Sequence, residues 1–76
     1  MIALLKYDLN TRERLLLKAT IEDYIETKVP ISSGYLKNKH NFGLSPATIR
    51  SALASLENKG LLSHPHTSSG RIPTDA

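Results

Sequence analysis

Ser45-Pro46-Ala47-Thr48-Ile49-Arg50 reads as a capped helix start with small and polar outward side chains, and further on Gly70-Arg71-Ile72-Pro73 closes a loop rich in Ser and Thr. Ser45 suits the N-cap, where its hydroxyl satisfies a first-turn N–H. Pro46 suits the first helical position, where a missing N–H costs nothing. Gly60 suits the position just past the helix end, where a left-handed backbone is needed. Between these limits Ile49, Leu53 and Leu56 recur at i, i+4 and i+7 and must face a core, with Ala52 beside them. The opposite arc carries Ala47, Arg50, Ser51, Ala54 and Asn58, with Thr48 and Ser55 toward one edge and Glu57 at the margin.

Upstream, Asn10 and Glu13 form a reciprocal cap for a first helix starting at Asn10 or Thr11. At the helical period Leu17, Ile21, Tyr24 and Ile25 share one face, with Leu16 at its margin, while Lys18, Glu22 and Glu26 line the other. Pro30 ends the run by pushing Val29 toward an extended conformation, and Val29-Pro30-Ile31 is long enough only for a single bridging strand. Ser32 or Ser33 caps a short second helix through Tyr35, Leu36 and Lys39. Asn41 is placed at its left-handed exit, and Phe42-Gly43-Leu44 makes the tight turn into the third helix. Downstream, Leu61-Leu62-Ser63-His64 reads as a strand and Arg71-Ile72-Pro73 as its short partner, joined by a loop of turn formers. The order helix, short strand, helix, helix, strand, loop, strand predicts a mainly α (α+β) fold. It is that of a winged helix-turn-helix, a three-helix bundle with a small β-hairpin wing, over residues 10–76. Residues 1–9 form an N-terminal segment to which no role is assigned.

A third helix with small outward side chains can sit deep in a DNA major groove, where base edges present distinct donor and acceptor patterns. Arg50 can fork onto guanine or brace a phosphate, and the methyls of Ala47 and Thr48 can meet a thymine methyl. Ser51 and Ala54 lie in the same arc, and the free N–H groups at the helix start favour a phosphate beside Ser45. The loop carrying His66, Thr67, Ser68 and Ser69 is longer than a hairpin needs and ends in Gly70-Arg71, which suits a finger laid on the phosphate backbone or into a minor groove. The expected DNA-contacting set is therefore Ser45, Ala47, Thr48, Arg50, Ser51, Ala54, His66, Thr67, Ser68, Ser69 and Arg71. The rival reading is a winged helix used as a protein-interaction module, which would be expected to show an apolar or acidic patch on this face.

At 76 residues the chain makes one domain at most, and a chain of that size buries only ~60–65% of the surface that it exposes when unfolded. There is no cysteine, so neither a disulfide framework nor a thiolate zinc site can staple it, which suits a reducing cytoplasm. The apolar run Met1 to Leu5 is cut short by Lys6 and Asp8, too short for a membrane span, and lacks a signal peptide's basic start and cleavage site. Net charge is +3 at a sequence pI near 9.5. Residues 1–34 carry five basic and five acidic groups, whereas residues 35–76 carry five and two, so the whole excess lies in the second half. This leans toward a polyanionic partner. His64 and His66 are two apart, but no cysteine or nearby carboxylate completes a metal-ligand set. No nucleophile-elbow or phosphate-cradling glycine loop is present either, so neither an enzyme nor a metal or cofactor is expected.

Several stretches closely resemble the N-terminal part of the bacterial heat-inducible transcription repressor family, HrcA. They are residues 42–50 (Phe42 to Arg50), Leu53, Leu56-Glu57, Gly60-Leu61-Leu62 and residues 65–74 (Pro65 to Thr74). Glu22 to Thr27 and Pro30 to Ser33 are similar to that family's first helix and its exit. The resemblance spans roughly residues 9 to 75. It implies a cytoplasmic repressor that binds double-stranded DNA at an inverted-repeat operator upstream of chaperone genes, as a homodimer in the full-length protein, with support from the chaperonin. The family's sensing and dimerisation domains are expected to be absent from this chain.

Overall fold

Residues 9–65 and 70–74 are described by a computed structural model. Chain order gives α1 (Thr11–Thr27), α2 (Ser33–Lys39), α3 (Pro46–Asn58), β1 (Leu62–Ser63) and β2 (Ile72–Pro73). Each helix begins where a side chain can serve its first turn. Asn10 accepts the Glu13 N–H at 2.8 Å while Glu13 accepts the Asn10 N–H at 3.0 Å. Ser32, rather than Ser33, caps α2, and Ser45 caps α3 with Pro46 just inside.

The exits differ from expectation at two of the three helices. α1 stops at Thr27, and Lys28 takes the left-handed conformation at φ 62°, so the helix closes on that cap before Pro30 is reached. Asn41 is not left-handed: α2 leaves through His40 in an extended conformation, and the positive φ needed in the turn, 71°, falls at Gly43. Glycine adopts that region without the Cβ clash that burdens asparagine. α3 ends as predicted, with Gly60 at φ 79°. The Gly60 N–H bonds Glu57 and the Leu61 N–H bonds Leu56, satisfying two carbonyls that the helix leaves open.

α1 and α2 pack on α3, β1 lies beside α3, and β2 lies beside α1. The shared core holds Leu9, Leu16, Leu17, Ile31, Leu36, Ile49, Leu53, Leu56, Leu61 and Leu62. The phase of α1 is rotated from the sequence reading: Leu16 is fully buried beside Leu17, and Ile25 is 60% exposed. The inward stripe runs through Glu13, Leu16, Leu17, Thr20 and Asp23, so polar residues occupy positions that the apolar pattern alone would leave out.

β1 and β2 are antiparallel, with Leu62 opposite Pro73 and Ser63 opposite Ile72. The expected single bridging strand is present. Ile31 and Arg71 exchange both main-chain hydrogen bonds, at 2.9 and 2.8 Å, tying the α1–α2 connection to the hairpin. Gly70 makes this approach possible, since a Cβ there would lie 2.7 Å from the carbonyl carbon of Pro30 and 2.9 Å from the Ile31 nitrogen. Among the described residues, no helix is long and apolar enough to cross a membrane.

Candidate nucleic-acid interface

The periodicity that buries Ile49, Ala52, Leu53 and Leu56 turns the rest of α3 outward. Ala47, Arg50, Ser51, Ala54 and Asn58 are exposed, and Thr48 and Ser55 are half-buried at one edge. The exposed arc contains no large apolar side chain and no carboxylate. Ser45 is committed locally: its Oγ accepts the Thr48 N–H at 3.2 Å and lies 2.9 Å from the Thr48 hydroxyl. Arg50 forms no ion pair with any carboxylate among the described residues. His66, Thr67, Ser68 and Ser69 lie outside the described residues, as does the segment 1–8.

The two edges of the arc are fixed by different neighbours. On one side Ser55 donates to Glu13 of α1, and the Lys59 ammonium reaches both oxygens of the same carboxylate at 2.8 and 3.0 Å. Those hydrogen bonds from Lys59 and Ser55, with the Asn10 N–H, outweigh burial and hold Glu13 down to about 2. A groove of about 390 Å³ runs along this edge, bordered by Asn10, Arg12, Glu13, Ala47, Thr48, Ser51, Ala52 and Ser55. On the other side Arg71 Nε donates to Glu57 at 3.0 Å, with the Arg71 side chain only 15% exposed. Arg71 thus braces the base of the hairpin against α3.

A second buried carboxylate sets α2. Asp23 accepts Lys39 Nζ at 2.9 Å and His40 Nε2 at 2.8 Å, and His40 stacks on Phe42 at 5.1 Å. Burial alone would raise the Asp23 pKa, but the Lys39 and His40 hydrogen bonds prevail and lower it. The hydrogen bond to Asp23 in turn pushes Lys39 up. The sequence reading did not single out Asp23, Lys59 or Arg12, and it saw in Glu13 only a cap. The available signal was the spacing of Glu13, Leu16, Thr20 and Asp23 at alternating three- and four-residue steps, which places both acids on the leucine face.

A bundle of three helices closed by an antiparallel hairpin, with one helix offering a small-residue face beside that hairpin, defines a winged helix-turn-helix domain. No family model matches the chain. It is 54% identical over 66 residues to "Heat-inducible transcription repressor HrcA" of Bifidobacterium animalis subsp. lactis, covering 87% of this chain and 18% of that protein. HrcA of Gloeobacter violaceus is 54% identical over 68 residues, covering 90% and 19%, and HrcA of a Roseiflexus species 51% over 69, covering 91% and 19%. The chain belongs to the HrcA family, matching its N-terminal part. It spans about a fifth of the length of these relatives. Among solved structures, a chain described as "a hypothetical protein at 2.2 A resolution" superposes with a TM-score of 0.85 at 46% identity, covering 88% of this chain and 22% of that one.

Proposed function

We propose that this chain is the sequence-specific DNA-binding domain of a transcriptional repressor of heat-shock (chaperone) genes. In this reading α3 enters the major groove and the hairpin loop lies on the backbone. The observation that carries it is the outward arc of α3: small, polar, free of acid, and holding one arginine with no carboxylate partner among the described residues. Such a face lets the helix axis approach base edges, whereas a protein-docking face would offer an apolar or acidic anchor. The name carried by the relatives supports the regulatory role.

Arg50 reads a guanine or a phosphate, Ala47, Thr48, Ser51 and Ala54 line the groove contact, and Ser45 presents the helix start to a phosphate. His66, Thr67, Ser68 and Ser69 supply the backbone finger. Arg71 reaches phosphate only by sharing or exchanging its contact with Glu57. The full-length repressor acts in the cytoplasm as a homodimer on an inverted repeat, with the chaperonin as a further partner.

A mobility-shift titration on an inverted-repeat duplex from upstream of a chaperone gene tests this. Binding should weaken steeply with salt, log K falling by about 0.9 per phosphate contact. Arg50→Ala should cost roughly 1–3 kcal/mol and relax the preference at one base pair. Uniform weakening across sequences would place Arg50 on phosphate instead, and no binding even at ~50 mM salt would favour the interaction module.

A further inference from the structure

The outward arc of α3 has a second flank that the expected contact set leaves empty. At one edge Glu57 meets Arg71 of the hairpin, and at the other Ser55 meets Glu13 of α1. Next to Glu13, Arg12 borders the groove opposite Ala47, Thr48 and Ser51. It is exposed, and no carboxylate among the described residues pairs with it. The adjacent Glu13 does not cancel its charge, because that carboxylate is turned inward and already held by Lys59 and Ser55.

The helix start is not what carries this site: its reciprocal cap takes up the Asn10 and Glu13 N–H groups. The ligand-binding group is the guanidinium, whose paired N–H bonds match two phosphate oxygens. Among the described residues no ion pair gives stability a reason for a cation there, and the first turn is the positive end of the helix dipole, which disfavours arginine. Resting on the function proposed above, we infer that Arg12 binds a backbone phosphate of the same duplex that α3 reads, on the flank opposite the hairpin. The duplex is thereby clasped from both sides of α3, with Arg12 fixing its lateral position and the arc of α3 reading its bases.

The test uses a labelled duplex enriched by the wild-type chain from a random-sequence pool, with affinities measured across a salt series. Arg12→Gln should reduce the salt slope by about one, so that between ~50 and ~200 mM salt the wild type loses about three- to fourfold more affinity than the variant. Arg12→Lys should retain the slope. Arg14→Gln, changed on the far face of α1, should match wild type. Because Gln removes a cation from the dipole's positive end, Arg12→Gln should melt at or above the wild-type temperature while binding more weakly. A wild-type slope for Arg12→Gln, or weaker binding accompanied by a lower melting temperature, would overturn the assignment and leave the repressor reading intact. Failure of the wild-type chain to enrich or bind any duplex in a salt-dependent way would instead overturn both.

Discussion

The carboxylate of Glu13 is buried between α1 and α3, where it accepts the Asn10 N–H, the Ser55 hydroxyl and the Lys59 ammonium. Its pKa lies near 2 against an ordinary 4.5. A depressed carboxylate adds stability that is complete above the unfolded value and disappears as pH falls through the folded one. Melting temperature should therefore fall as pH drops from about 4.5 toward 2, and Asp23, lowered in the same sense, adds to the loss. Glu13→Gln should cost about 1–3 kcal/mol at neutral pH and flatten that acid dependence, as followed by thermal melts across the pH range. Parallel curves for variant and wild type would show that the carboxylate contributes nothing. None of this was legible from residue type. A Glu three residues after an Asn announces a cap, and only the spacing to Leu16, Thr20 and Asp23 reveals that the same side chain faces inward.

At the scale of elements, start signals proved more legible than stop signals. Asn10, Ser32 and Ser45 each mark a helix beginning because a side-chain oxygen must meet a particular N–H, a local requirement written in the sequence. Exits depend on which residue takes the left-handed conformation. The chain uses Lys28 and Gly43, where local preference pointed to Pro30 and Asn41. The phase of α1 is hidden for a related reason: Leu15, Leu16 and Leu17 are consecutive, so apolar residues alone do not say which side is in. The hairpin offers a sharper test. A methyl group at position 70 would meet main-chain atoms of Pro30 and Ile31, which cannot swing aside. Gly70→Ala should destabilise the domain by about 1–3 kcal/mol, read by urea denaturation, whereas Gly34→Ala, whose Cβ would meet only the Ser32 hydroxyl at an ordinary 3.9 Å, should not. Equal effects at the two positions would mean that the bridge yields freely.

Across the whole molecule a single core unites the three helices with the hairpin, so little stability is held in reserve. Leu53, fully buried in α3, lies within it. Leu53→Ala should cost ~2–5 kcal/mol and abolish or sharply lower the cooperative thermal transition, while a near-wild-type melting curve would show that the core collapses around the loss. Charge was the property least legible at this scale. The excess in the second half of the sequence does not become a basic face of equal size. Lys39 and Lys59 are spent on acids of α1, and Arg71 on Glu57. The unpaired cations bordering α3 then include Arg50, from the second half, and Arg12, from the half that sums to zero. Folding reassigns charge between faces because ion pairs connect positions far apart in the chain, and a running tally cannot follow them.

The bridge between Ile31 and Arg71 also bears on synthesis. Ile31 is 1% exposed, and both its main-chain hydrogen-bonding groups are satisfied by a residue added forty positions later. As the polypeptide leaves the ribosome, all three helices emerge while that inner edge still lacks its partner. The nascent domain therefore closes this seam only after Arg71 has cleared the exit tunnel, and a product released earlier would carry an open, adhesive edge.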